Sequence, residues 1–279
     1  MTMSVNTNLF SMNAQRNLSH SQSSLATSMQ RLSSGLRINS AADDSAGLAI
    51  SQRMNAQVRG MNVAIRNAND GISLSQTADG ALASVGDSLQ RMRELAVQAR
   101  NSTNSNSDKE SLNLEFSQLS AEISRVLGGT TFNGKAILGA DAATLTFQVG
   151  ANVTANDSID ITTTNLTADS KITTVTGASI GSGADATAIA TVITNIDTAI
   201  DDINSQRATF GASQNRFNSV VKNLQSSVEN QSAAASRITD ADFAMETANM
   251  SRAQILQQAG TAMVAQANML PQSVLKLLQ

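Results

Sequence analysis

The stretch from 189 to 228, IATVITNIDTAIDDINSQRATFGASQNRFNSVVKNLQSSV, decides the fold because its apolar residues recur with a seven-residue period. The first row of this period consists of Ile189, Ile196, Ile203, Phe210, Phe217 and Leu224. The second row consists of Ile193, Ile200, Arg207, Gln214, Val221 and Val228. Together the rows form the a and d positions of a coiled-coil seam with two polar members. A helix of about 40 residues is about 60 Å long, which predicts a rod with helical partners along its length.

Two earlier segments have the periodicity of such partners. One contains Leu74, Ala78, Ala81, Val85, Met92 and Leu95, and the other contains Leu112, Phe116, Leu119, Ile123 and Val126. We therefore predict three helices, at about 45–100, 107–127 and 189–235, packed as an antiparallel bundle. Between the second and third helices, apolar and polar residues alternate in 145–149 and 159–161, which predicts one or two β-hairpins. The predicted fold class is mainly α: a long antiparallel helical rod or coiled-coil bundle with a small β-hairpin insert.

Capping patterns mark the expected helix ends. Ser107 with Glu110 matches a capping box, and two consecutive glycines at 128–129 predict the end of that helix. Ser40 with Asp43, and Thr239 with Asp242, are predicted as further helix N-caps. Residues 163–188 contain too few large apolar residues to form an independent domain.

The two ends of the chain have little charge. Residues 1–30 contain one charged side chain, Arg16, and residues 253–279 contain one, Lys276. Apolar residues still recur on one face at each end: Leu18, Leu25, Met29, Leu32, Leu36, Leu256, Met263, Leu270, Val274 and Leu277. A solvated helix normally has a charged face, so these uncharged faces predict helices that are surrounded by other helices. We call the ten apolar residues the assembly seam.

Composition argues against an enzyme or a metal protein. The chain has 279 residues, no Cys and a single histidine, His20, so it cannot build a zinc site or a Cys–His pair. The carboxylate pairs, such as Asp43 with Asp44, are expected to cap helices or face solvent. We predict no catalytic residues, no metal and no cofactor. A net charge of −3 gives no reason to expect nucleic acid as a partner.

The sequence predicts neither a cleavable signal peptide nor a membrane-spanning helix. The first residues, MTMSVNTNLFSMNAQRN, lack the basic cluster and apolar core of a cleavable signal peptide. No stretch reaches the roughly 20 apolar residues of a membrane helix. We therefore expect that export would use a route that does not read a standard signal.

Several long motifs resemble those of bacterial flagellins, the subunits of the flagellar filament. They include LSSGLRINSAADDSAGLAI (32–50), RNANDGIS (66–73), LQRMRELAVQARNSTNS (89–105), TTFNGKAIL (130–138), SRITDADFA (236–244) and QANMLPQSVLKLL (266–278). The resemblance covers roughly 1–160 and 189–279, in the order of the family, and implies a short form with a minimal central insert. The layout that it implies has five parts: an N-terminal inner-core helix (1–44), outer-core helices (45–140), a β-hairpin and variable surface insert (141–188), a C-terminal long outer-core helix (189–235) and a C-terminal inner-core helix (236–279).

The resemblance also implies partners and a location. Flagellins polymerise with further copies of themselves outside the cell, and they meet filament cap and hook-junction proteins. They leave the cell through the flagellar type III channel, after a chaperone has bound their C-terminal segment. The implied function is a structural subunit of the filament for swimming motility.

One surface is implied to serve two purposes. In QRMRELAVQ (90–98), polar and apolar side chains step by three and four residues along one helix face. In flagellins this segment, with a Glu on the next helix, contacts other subunits and is bound by the vertebrate Toll-like receptor for flagellin. Carried over to this chain, the residues are Gln90, Arg91, Glu94, Leu95, Gln98 and Glu115. Without the resemblance, the same pattern would indicate a solvated face with local ion pairs.

Two other classes of protein remain as alternatives. A hook–filament junction protein would share the terminal helices, but NDGIS and ELAVQARNSTNS favour a flagellin. A membrane-inserting translocator of a type III system would be more continuously apolar than the C-terminal segment, which several glutamines interrupt.

Overall fold

The computed structural model describes residues 7–276, with side chains described up to residue 269. The helices are α1 (Leu9–Ser34), α2 (Ser45–Ala99), α3 (Asn106–Gly129), α4 (Ser170–Thr176), α5 (Ala186–Thr239) and α6 (Phe243–Lys276). The strands are β1 (Thr131–Phe132), β2 (Lys135–Ala136), β3 (Thr144–Gln148) and β4 (Ser158–Thr162). The predicted mainly α fold with a β-hairpin insert is confirmed. Contacts divide the chain into a central unit, 57–229, and a terminal unit, 1–56 with 230–279.

In the central unit, α2 and α5 run antiparallel. Asp79 and Arg207 form an ion pair of 2.8 Å, and Arg93 and Asp197 form another of 2.6 Å, so positions rise along α2 as they fall along α5. Helix α3 returns along α2 after a short connection. The heptad prediction is confirmed, because the first five members of the leading row of α5 have at most 1% of their surface exposed.

The central unit contains two antiparallel hairpins, one before the insert (β1–β2) and one within it (β3–β4). Strands β3 and β4 pair with Leu145 opposite Ile161 and Phe147 opposite Ile159. The ring of Phe147 meets that of Phe217 edge to face, with centroids 5.6 Å apart. The hairpin between β1 and β2 turns through Asn133 and Gly134, with φ values of 50° and 80°. An Asn-Gly pair suits this turn because both positions require positive φ.

The segment 163–188 packs on the core of the central unit and forms no core of its own. Four of its apolar side chains, at positions 166, 172, 175 and 180, are at least 98% buried in that core. Two of them belong to α4, a seven-residue helix that the sequence patterns do not indicate. The prediction that this segment is not an independent domain agrees with this packing.

The capping box of α3 lies two residues before the predicted one. Ser105, not Ser107, caps α3, and the Asp108 carboxylate accepts a hydrogen bond from the Ser105 amide in return. The Ser105 hydroxyl and amide hold the pKa of Asp108 below its ordinary value. Glu110 instead accepts hydrogen bonds from the amide (2.9 Å) and the hydroxyl of Ser182.

Two other predicted caps are also wrong by a few residues. The Asp44 carboxylate, and not Ser40, accepts the Gly47 amide at the start of α2 (2.8 Å). Asp242, and not Thr239, accepts two amides at the start of α6 (2.9 and 3.1 Å). Both are acidic side chains at a helix N-terminus, where the helix dipole favours an anion.

In the terminal unit, α1 and α6 lie side by side and antiparallel. The Asn8 side chain donates to the Ala267 carbonyl (2.7 Å), and the Ser11 hydroxyl donates to Asn268 Oδ1 (2.7 Å). At the other end of α1, Leu36 and Asp240 form an isolated antiparallel bridge. The assignment of 1–44 and 236–279 to an inner core, and of 45–140 and 189–235 to an outer core, remains a prediction.

Candidate functional surfaces

The assembly seam lies along α1 and α6 and is only partly covered. Its members Leu18, Leu25 and Leu32 are half-buried in the contact between the two helices. Its remaining described members are exposed: Met29, Leu36, Leu256 and Met263, the last at 62%. Leu270 and Val274 lie in α6 with side chains outside the described part, and Leu277 lies outside the described residues altogether.

An apolar groove of about 430 Å³ accompanies the seam. It lies between the N-terminal half of α1 and the C-terminal half of α6, and its apolar lining includes Phe10, Leu18, Leu256 and Met263. Phe10 is exposed and was missed from the sequence, because it lies outside the seven-residue spacing of Leu18 and Leu25. Its neighbour Leu9 is exposed too, so apolar surface extends around the start of α1.

The second candidate surface is a group of charged side chains in the central unit. Arg91 Nη1 lies 2.8 Å from Glu94 Oε2, and Arg91 Nε lies 2.7 Å from Glu115 Oε1. The Glu115 carboxylate, and then that of Glu94, raise the pKa of the Arg91 guanidinium above its ordinary value. Gln90 and Gln98 are exposed on the same helix. We call these five residues the charged cluster.

Leu95 does not belong to this surface, which corrects the sequence prediction. Its side chain is only 1% exposed and packs in the core of the central unit. The residue fits both the α2 packing seam and the exposed face by spacing, and the structure places it in the seam. Leu95 lies four residues after Arg91 and three before Gln98, and the error arose because residues at these spacings share only part of a helix face.

The other candidate residues from the sequence are the single histidine and the carboxylate pairs. Among residues 7–276, no three His, Cys, Asp or Glu side chains lie close enough together to hold a metal ion. His20 is exposed on α1. The Asp43 carboxylate accepts hydrogen bonds from Ser40, which lower its pKa. In the same part of the chain, no helix has the length and hydropathy to cross a bilayer.

Comparison with known proteins identifies both helical regions. Residues 5–143 match the family model of the bacterial flagellin N-terminal helical region, and residues 193–278 match that of the C-terminal helical region. The flagellin of Halalkalibacterium halodurans is 47% identical over 277 residues, covering 99% of this chain and 100% of that protein. The flagellin of Bacillus subtilis is 42% identical over 304 residues, covering 99% and 100%. A crystal structure of Bacillus cereus flagellin aligns with a TM-score of 0.49 at 35% identity, covering 61% of this chain and 94% of that chain.

Proposed function

Because the chain belongs to the bacterial flagellin family, we propose that its assembly seam forms the inner core of the polymer and that its charged cluster is bound by the vertebrate Toll-like receptor for flagellin. Family membership makes the chain a structural subunit, and not an enzyme, that polymerises into the flagellar filament outside the cell. The two proposals assign surfaces to this established role and to one interaction beyond it.

The exposed apolar side chains of α1 and α6 carry the proposal for the inner core. Leu256 and Met263 of α6 expose more than half of their surface, although they line the same groove as the half-buried Leu18 of α1. Exposed apolar surface of this extent marks an interaction site. Further copies of the chain would cover it, and the small, uncharged residues around it would allow close approach of helices.

A substitution in the seam tests this proposal. Leu256→Asp should raise the critical concentration for polymerisation at least about tenfold, because a carboxylate would have to be buried where a half-exposed leucine now lies. The far-UV circular dichroism of the monomer should be unchanged, since the site is solvated there. Val153→Asp is the matched control, because Val153 is fully exposed and lies in the insert. Filaments of Leu256→Asp at the wild-type critical concentration would disprove the inner-core assignment.

The charged cluster supports the receptor proposal through its order and exposure. About half of the Arg91 side chain is exposed, yet two carboxylates hold its guanidinium. An arginine fixed in this way loses little conformational entropy when a partner binds, and arginine is enriched among residues that dominate binding energy. The same surface is proposed to contact a neighbouring subunit, so polymer and receptor would compete for it.

Receptor binding by the monomer tests this second proposal. Arg91→Ala and Glu115→Ala should each weaken binding at least about tenfold without loss of helicity. Arg125→Ala is the control, because Arg125 forms a comparable exposed pair with Glu122 on α3 outside the cluster. Equal affinities for all three variants and the wild type would disprove the assignment. Leu95→Ala should act differently, lowering the free energy of unfolding by about 2–5 kcal/mol because the side chain is buried.

The remaining partners are proposed for the same terminal helices. An export chaperone would cover exposed apolar residues of α6, such as Met263 and Met269, before assembly. Filament cap and hook-junction proteins would meet the subunits through the seam. Export through the flagellar type III channel is proposed on the same family membership.

A further inference from the structure

A second, polar cleft of about 390 Å³ separates α1 from α6 in the terminal unit. Hydroxyl groups line much of it, from Ser21, Ser23, Ser24, Thr27 and Ser28 of α1. Arg31 of α1 and Glu246 of α6 line it as well. This cleft differs from the apolar groove because it contains charge of both signs.

The side chains of Arg31 and Glu246 each lack a hydrogen-bond or ion-pair partner among the described residues. The Nε atom of Arg31 is buried without an acceptor, and the guanidinium makes no ion pair within 4.0 Å. Glu246 is only 8% exposed as a residue, and its carboxylate oxygens, which reach the water of the cleft, accept no hydrogen bond from the described residues. If that water were excluded, a buried charge without a partner would be strongly unfavourable. Each group is therefore a suitable partner for the other.

The register of the two helices places these residues opposite each other. Asn8 contacts Ala267, Leu18 lies against Gly260, and Leu36 bridges to Asp240. Continuing this antiparallel register puts position 31 opposite about position 246. The sequence makes the match specific, because Glu246 is the only acidic residue in α6.

We propose that Arg31 and Glu246 form an ion pair that closes across the polar cleft when the terminal unit is packed in the polymer. This proposal rests on the inner-core role proposed for α1 and α6. Neighbouring helices exclude water from the cleft, and the attraction between opposite charges then grows as the local dielectric constant falls. The pair positions α1 against α6, because a shift of either helix by one turn would leave two buried charges uncompensated. Fixing register is the best-attested use of buried polar groups in helical assemblies.

The other charged groups near the cleft do not replace this pair. Arg252 lines the cleft but belongs to α6, and its Nη1 contacts Asn249 Oδ1 at 3.3 Å. Asp43 is close enough to Arg31 for the guanidinium to contribute to lowering its pKa. It accepts hydrogen bonds from Asn39 and Ser40, which occupy its carboxylate.

Charge reversal in the full-length chain tests the proposal through the critical concentration for polymerisation. Arg31→Glu and Glu246→Arg should each raise it at least about tenfold, and the double reversal should return it to within about threefold of wild type. The control is Glu246→Arg with Lys222→Glu, which has the same net charge as the double reversal but adds no opposite charge in the cleft, because Lys222 is exposed on α5 in the central unit. This control should stay as impaired as Glu246→Arg alone.

Three results would overturn the proposal. The first is single variants that polymerise like the wild type, and the second is a double reversal no better than either single variant. The third is rescue on mixing separate Arg31→Glu and Glu246→Arg chains, which would place the pair between copies. Leu256→Asp, measured in parallel, separates this failure from that of the inner-core role. If Leu256→Asp is impaired while the charge variants behave as wild type, only the ion pair is wrong.

Discussion

Phe217 is expected to be the side chain whose loss destabilises the central unit most. It is fully buried, and it joins α5 both to the hairpin, through the ring of Phe147, and to α2, where it lies against Gly71. Truncating a buried Phe to Ala typically lowers the free energy of unfolding by about 3–5 kcal/mol. The edge-to-face pair adds to the loss, so Phe217→Ala should fall near the upper end of that range.

Gly71 of α2 lies so close to the Phe217 ring that a substitution there tests the packing of α5 on α2. A Cβ atom at this position would lie 2.7 Å from Phe217 Cζ and about 3 Å from the two neighbouring ring atoms, at 3.0 and 3.1 Å. Such overpacking costs about 1–3 kcal/mol, while replacing Gly by Ala in a helix contributes about 1 kcal/mol of stability. Gly71→Ala should therefore destabilise the wild type by up to about 2 kcal/mol. In the Phe217→Ala background it should stabilise by about 1 kcal/mol or more, because the ring is gone and a methyl group refills part of the space.

Urea unfolding followed by far-UV circular dichroism measures all four members of this cycle. Gly80→Ala is the matched control, since Gly80 is in the same helix and a Cβ atom added there would have no such neighbour within 4 Å. It should stabilise both backgrounds by about 1 kcal/mol. Additive effects of Gly71→Ala and Phe217→Ala would refute the close packing of α5 on α2, and so would a loss below about 1 kcal/mol for Phe217→Ala.

Two further predictions concern a turn and an acid-sensitive contact. Gly134→Ala should destabilise the β1–β2 hairpin by about 1 kcal/mol, because its φ of 80° disfavours a Cβ atom; a melting temperature equal to that of the wild type would contradict this. The Ser182 hydrogen bonds lower the pKa of Glu110 from its ordinary 4.5, so their stabilising effect is complete above that value and is lost as pH falls through the lowered pKa. The Ser182 amide resonance should therefore shift in acid, whereas in Glu110→Gln it should lose this dependence on pH, and a shift that persists in the variant would exclude Glu110 as its cause.

Periodicity predicts the long helices well because their packing repeats along one face. The leading row of α5 can be recognised without knowing which helices pack against it. Five large apolar side chains at seven-residue spacing require a continuous apolar neighbour. Helix α4 could not be predicted this way. It has seven residues, and Ile172 and Val175 hold it in place by reaching a core built from distant parts of the chain.

Local patterns fail where two interpretations compete for the same residues. Both Ser105 with Asp108 and Ser107 with Glu110 fit a capping box. In the structure Asp108 completes the box, and Glu110 contacts Ser182, 72 residues away, which no local pattern reveals. Leu95 fits the exposed face as well as the packing seam, and only burial can decide between them. Arg31 and Glu246 are more than 200 residues apart, so no local pattern relates them. The sequence shows only that each is one of the few charged residues in its helix.

The pairing of Asn8 with Ala267 spans 259 positions along the chain. Since a ribosome makes α1 first and α6 last, α1 has no partner until nearly the whole chain has been synthesised. A polypeptide cut short anywhere before α6 could fold much of its central unit, yet it would present α1 unpaired. Completion of the chain is thereby a condition for building the terminal unit, and the fold itself distinguishes a finished subunit from a truncated one.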